Sequence, residues 1–186
     1  MRCMQLIAKH VLLIVILTFP FSAQSALAGK QDVSALRSAY LFYFSHFIEW
    51  PTPYVFENQT FNLCVLSNSE KDLYQLSTLE GKQTGSNQLH IVDISKTNTA
   101  GVDAASNKLL CHMFYLAEGM SYPSDTRGVV DYTLIITEGD DVQKRGDIHL
   151  YSKESKLKFE INKPLLDDKK FNVSSKLMRL SQKEGK

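Results

Sequence analysis

The chain predicts an α/β fold, a three-layer α/β/α sandwich around a mostly parallel sheet with a C-terminal β-hairpin added. Three observations predict it: an early stretch with helical spacing, short apolar runs that alternate with helical patterns, and two alternating segments joined by a polar turn. Strands interleaved with helices imply βαβ crossovers, hence parallel strands covered on both faces.

The first residues read as export machinery. Arg2 and Lys9 precede an apolar run from Val11 that continues through Phe21 to Ala26 and Ala28, an A-x-A pattern just before Gly29. This is the layout of a secretory signal peptide over residues 1–28. At roughly 11 residues the run is shorter than the ~20 a membrane-crossing helix needs, and no Cys follows it as a lipoprotein would require. Residues 29–186 then form one exported domain.

Asp32 is placed as an N-cap for a helix over Val33 to Glu49, stopped by Pro51 and Pro53. Leu36, Tyr40, Tyr43, Phe44 and Phe47 share one sector and are expected in the core, with Leu41 and Ile48 on its flank. Phe42 points nearly the other way, beside Ala39 and His46. That patch is either a contact with another chain or a surface covered by a loop of the same domain. Phe61 to Leu66 reads as a buried strand and Glu70 to Leu79 as a helix with Leu73, Leu76 and Leu79 inward. Leu89 to Ile94 alternates like a strand, Ala100 to Leu110 is a weak helix, and Met113 to Leu116 and Tyr132 to Thr137 are further strands. Asp147 to Tyr151 and Lys156 to Ile161 form the hairpin, and Ser174 to Ser181 a closing helix with Leu177 and Leu180 inward.

Composition narrows the function. The 21 Lys and Arg nearly balance the 20 Asp and Glu, so no broad field exists to hold nucleic acid or an anionic membrane surface. No nucleophile elbow or phosphate-binding glycine loop occurs. His46, His90, His112 and His149 are scattered and supply no zinc-ligand spacing. Neither a catalytic group, a metal site nor a cofactor is predicted. An enzyme would require a strongly perturbed titratable group in a cleft beside a second one. Cleavage removes Cys3 and leaves Cys64 and Cys111, either one disulfide or two buried thiols. In an oxidising compartment a bridge is the simpler arrangement, worth on the order of 4 kcal/mol in the chain-entropy account.

Four pieces, in order behind the export segment, carry a resemblance. They are Ala39-Tyr40-Leu41-Phe42-Tyr43-Phe44 through Phe47-Ile48-Glu49-Trp50-Pro51; Leu63-Cys64-Val65-Leu66; Cys111-His112-Met113-Phe114-Tyr115; and Leu157 to Asn162 followed by Val173 to Leu180. From about Leu36 to Leu180 the chain resembles the YfiR family of periplasmic regulators. It departs from that pattern at Arg145-Gly146, where the family often has two glycines, and at Met120 to Val130, which is short of the usual helix.

The resemblance implies a non-enzymatic periplasmic protein that represses the sensor domain of an inner-membrane diguanylate cyclase, lowering cyclic-di-GMP signalling and biofilm formation. It further implies a homodimer, a Cys64–Cys111 disulfide, and sequestration by an outer-membrane peptidoglycan-binding lipoprotein. With little net charge, the partner surface should rest on aromatic anchors, for which Phe42, His46 and Trp50 are the expected residues. Trp50 has a second reading as a plug over the core. The alternative function is a periplasmic small-ligand-binding module, using the crevice at the carboxyl ends of the parallel strands near Ser67 to Ser69 or Thr137 to Asp140.

Overall fold

The computed structural model describes residues 32–51, 56–95, 102–103, 108–109, 111–121, 132–140 and 146–181. The expected export segment, residues 1–28, lies outside these residues. Helix α1 (Val33–Phe47) starts where the Asp32 carboxylate accepts the Ser34 N–H at 3.0 Å. It stops two residues before the expected end, because Ile48–Glu49 turn extended as β1. A one-turn 3₁₀ segment at Glu57–Gln59 leads into β2 (Thr60–Leu66), followed by α2 (Glu70–Ser77), β3 (Gln83–Thr84) and β4 (Asn87–Asp93). Where a helix was expected over Ala100 to Leu110, the described residues form two short strands instead, β5 (Val102–Asp103) and β6 (Lys108–Leu109), paired antiparallel. Gly101 and the Ser106-Asn107 pair within that stretch are weak helix formers.

The chain continues through β7 (Met113–Leu116), β8 (Leu134–Glu138), β9 (Ile148–Lys153) and β10 (Lys156–Ile161). Helix α3 (Lys163–Asp168), β11 (Asn172–Val173) and α4 (Ser175–Leu180) complete it. Asn162 caps α3 and Pro164 sits in its first turn, a helix start signal carried by the sequence itself. Strand β11 pairs with β1, and the Ser174 N–H donates to the Phe47 carbonyl, so the C-terminal segment closes the open end of α1.

The main sheet has seven strands in the order β10-β9-β8-β7-β2-β4-β3. Five are parallel, and in chain order they read 2-1-3-4-5 across the sheet. Strand β10 runs antiparallel to β9 through a turn in which Glu154 (φ 54°) and Ser155 (φ 61°) are both left-handed. Alternation assigns the two faces. Phe61, Leu63, Val65, Met113, Tyr115, Leu134, Ile136, Ile148, Leu150 and Phe159 pack beneath α1 with Leu166, Phe171 and Leu177. Cys64, Val92, Phe114 and Leu116 occupy the opposite face with Cys111. Among the described residues no helix covers that face, so the second helical layer of the three-layer expectation is not seen there.

Helix α1 is rotated from its expected setting. Its fully buried stripe is Ser34, Arg37, Ser38, Leu41, Phe44 and Ser45. Tyr43, expected in the core, is 51% exposed, and Leu36, Tyr40 and Phe47 are only partly covered. The serines permit a close approach: the Thr84 hydroxyl of β3 donates to the Ser45 carbonyl at 2.8 Å. Tyr40 and Phe44 meet Phe159 edge-on at 5.2 and 5.1 Å. At the other terminus Leu177 is buried as expected, but Leu180 is 65% exposed because the helix ends there. Among the described residues no helix is long and apolar enough to cross a membrane.

Candidate functional site

Strand order reverses between β2 and β7: from β2 the chain goes to β4 on one side, then returns to β7 on the other. At such a point the loops leaving the carboxyl ends of adjacent strands diverge and leave a crevice. A pocket of about 210 Å³ occupies it, lined by Ser67, Asn68 and Ser69 after β2, Ala117 and Glu118 after β7, Glu138 at the end of β8, Tyr115, Asp72 and Arg37.

Arg37 is the centre of this site, and nothing in the sequence reading selected it. A single Arg on an aromatic helix looks like a solvated residue. Alternation on β7 and β8 turns Tyr115 and Glu138 toward α1, and the Ser69 cap of α2 brings Asp72 alongside. Arg37 Nε and Nη2 donate to the two Glu138 oxygens at 2.5 and 2.6 Å, and Nη1 donates to Asp72 Oδ1 at 2.5 Å. The Tyr115 hydroxyl donates to Glu138 Oε2. Burial acts to lower the Arg37 pKa, but the bonded Glu138 carboxylate and the nearby negative charges outweigh it and raise it above the ordinary value. Burial, reinforced by Glu138, pushes the Tyr115 phenol up.

Two perturbed groups thus share a cleft, and both shifts are directed away from the range in which a general acid or base works. Both move away from neutrality, so Tyr115 keeps its proton and Arg37 its charge throughout the working range. A general acid or base works best with a pKa near the operating pH. The cluster is a tie that fixes α1 and α2 to the sheet. Among the described residues no group of three or more His, Cys, Asp and Glu is placed to hold a metal ion.

The residues expected at a partner surface sit elsewhere. Phe42 is half-buried against the core, with Lys82 Nζ 5.6 Å from its ring centroid and the exposed His46 at 4.4 Å between centroids. Trp50 donates from Nε1 to the Tyr132 carbonyl at 3.2 Å and packs edge-on against Phe56, Phe61 and Phe171. Its contacts are those of a plug over the amino end of the sheet. Beside it His112, buried against Phe56 and Phe61, accepts the Asn62 N–H at Nδ1 (2.6 Å). Burial lowers its pKa to about 4. Cys64 and Cys111 form a disulfide with Cα atoms 5.6 Å apart, tying the middle of β2 to the lead-in of β7.

These features define an α/β protein whose buried charges hold its parts together. The family model described as YfiR/HmsC-like matches residues 34–182, and the chain belongs to that family. The family is periplasmic, regulatory and non-catalytic, and acts through protein partners. A comparison with curated proteins finds no match.

Proposed function

We propose that this chain represses an inner-membrane diguanylate cyclase by binding its periplasmic sensor domain, so lowering cyclic-di-GMP and biofilm formation. In this reading residues 1–28 direct export, an outer-membrane peptidoglycan-binding lipoprotein sequesters the protein to release the cyclase, and the chain pairs with itself. Family membership supports the class of partner. The observation that carries the reading to a surface is Tyr43 on α1, which stands half in solvent beside the partly covered Leu36, Tyr40 and Phe47. Phe42 and the exposed His46 form a second patch on a different side of the helix.

Repression requires that the protein bind the inactive cyclase better than the active one; tenfold discrimination needs about 1.4 kcal/mol. One buried aromatic anchor contributes that much. Deleting the gene is predicted to raise cyclic-di-GMP. Complementation with Tyr43→Glu should leave it high while the variant remains folded by circular dichroism. Unchanged cyclic-di-GMP in the deletion strain would remove the repressor role. A folded Tyr43→Glu variant that represses fully would move the interface off α1.

A further inference from the structure

The two edges of the main sheet differ in length and in cover. At one edge β3 has two residues, and its Thr84 hydroxyl is bonded to the Ser45 carbonyl of α1. At the other edge β10 has six residues, and among the described residues no further strand pairs with it. A row of edge backbone groups this long is a template for another strand unless something blunts it.

Local geometry says which groups face outward. The Asn162 N–H donates to the Asp147 carbonyl at 2.9 Å, so the even-numbered residues of β10 direct their backbone bonds to β9. Leu157, Phe159 and Ile161 therefore aim theirs away from the sheet. The Tyr40 hydroxyl, 3.3 Å from the Leu157 carbonyl oxygen, marks that side and leaves the carbonyl its second lone pair. Lys158 and Glu160 alternate with these residues and stand partly exposed on the face opposite Phe159.

Charge selects the occupant. A second β10 can lie antiparallel along this edge about a two-fold axis, and the bonds match where odd-numbered residues meet odd-numbered ones. An axis at Lys158 sets that lysine against its own copy, and an axis at Glu160 does the same for the glutamate; like charges directly opposite destabilise a pair. An axis at Phe159 sets Lys158 of each chain against the partner's Glu160. It also lets Leu157 exchange backbone bonds with the partner's Ile161.

We infer that two copies of this chain pair through β10, antiparallel and centred on Phe159, joining their sheets into one. The inference rests on the self-pairing in the proposed function and gives it a surface and a register.

Sedimentation equilibrium of the mature chain, with circular dichroism as the control for folding, tests it. A wild-type dimer is expected. Lys158→Glu and Glu160→Lys each set like charges opposite one another at both symmetry-related places, and each should weaken dimerisation about tenfold. The double variant carrying both changes should restore it. Mixed Lys158→Cys and Glu160→Cys chains should cross-link faster than either alone, because the two positions face one another across a close, non-hydrogen-bonded pair. Dimers that survive both single charge changes, a double variant as weak as the singles, or cross-linking fastest within Lys158→Cys alone would overturn the β10 interface and leave self-pairing intact. Charge variants that dimerise fully yet no longer bind the cyclase sensor domain would assign the edge to that partner and overturn the inference as well. A wild-type chain that stays monomeric at millimolar concentration would remove self-pairing, and this inference with it.

Discussion

The two ends of the parallel sheet bury ionisable groups to similar depth and treat them in opposite ways. At the carboxyl end Arg37 is enclosed with Glu138 and Asp72, and its charge is locked in. At the amino end His112 is enclosed by Phe56 and Phe61 and is held neutral. Burial alone pushes both groups toward their uncharged forms. What differs is compensation: carboxylates within hydrogen-bond reach reverse the effect for the arginine, and aromatic rings cannot do so for the histidine. The lesson is that depth does not decide ionisation; the partners do.

The sharpest way to break the contrast is Arg37→Met, which leaves Glu138 and Asp72 facing one another without a counter-charge. Removing one member of a buried pair costs about 3–5 kcal/mol, to be read as a lower urea midpoint. A loss under about 1 kcal/mol would mean that the cluster is solvated and ties nothing. At the opposite end Trp50→Ala should cost about 3 kcal/mol through lost packing. If Trp50 instead serves mainly as an interface anchor, stability will hold and only partner binding will fall.

Acid should act on the histidine end. The His112 pKa is about 4 in the folded protein against 6.5 ordinarily, so the unfolded chain binds the extra proton more readily. Stability is therefore fully present above about pH 6.5 and declines as pH falls toward 4, by about 3 kcal/mol in all. His112→Gln should flatten that slope in denaturation curves taken across the range, and an unaltered slope would place the acid sensitivity elsewhere. The smallest of these effects concerns Gly146, where a Cβ would sit 2.6 Å from the Ile135 carbonyl oxygen. Gly146→Ala should cost about 1–3 kcal/mol by overpacking, measured by thermal unfolding; a neutral outcome would show that the strand start can shift.

Much of the fold was legible because it rests on alternation and caps. Asp32 before α1 and the apolar runs of β2 and β7 act through local pattern, and the disulfide followed from the two cysteines that remain after the expected cleavage. The setting of α1 was not, because its buried face is made of serines, an arginine and only two large apolar residues, which no hydrophobic stripe reveals. The site was half legible: Ser67 to Ser69, and Glu138 within Thr137 to Asp140, lay at the carboxyl ends of parallel strands where a crevice was expected. Arg37, Asp72 and Glu138 come from three elements, up to 101 residues apart, and only tertiary pairing gives them a role.

The central claim is that this protein acts by holding a cyclase in its inactive state. Adding the purified mature chain to a membrane diguanylate cyclase reconstituted with its periplasmic domain accessible, and following cyclic-di-GMP formation, tests it most directly. A saturable fall in synthesis that Tyr43→Glu abolishes is the predicted result; synthesis unaffected at saturating protein would contradict the account.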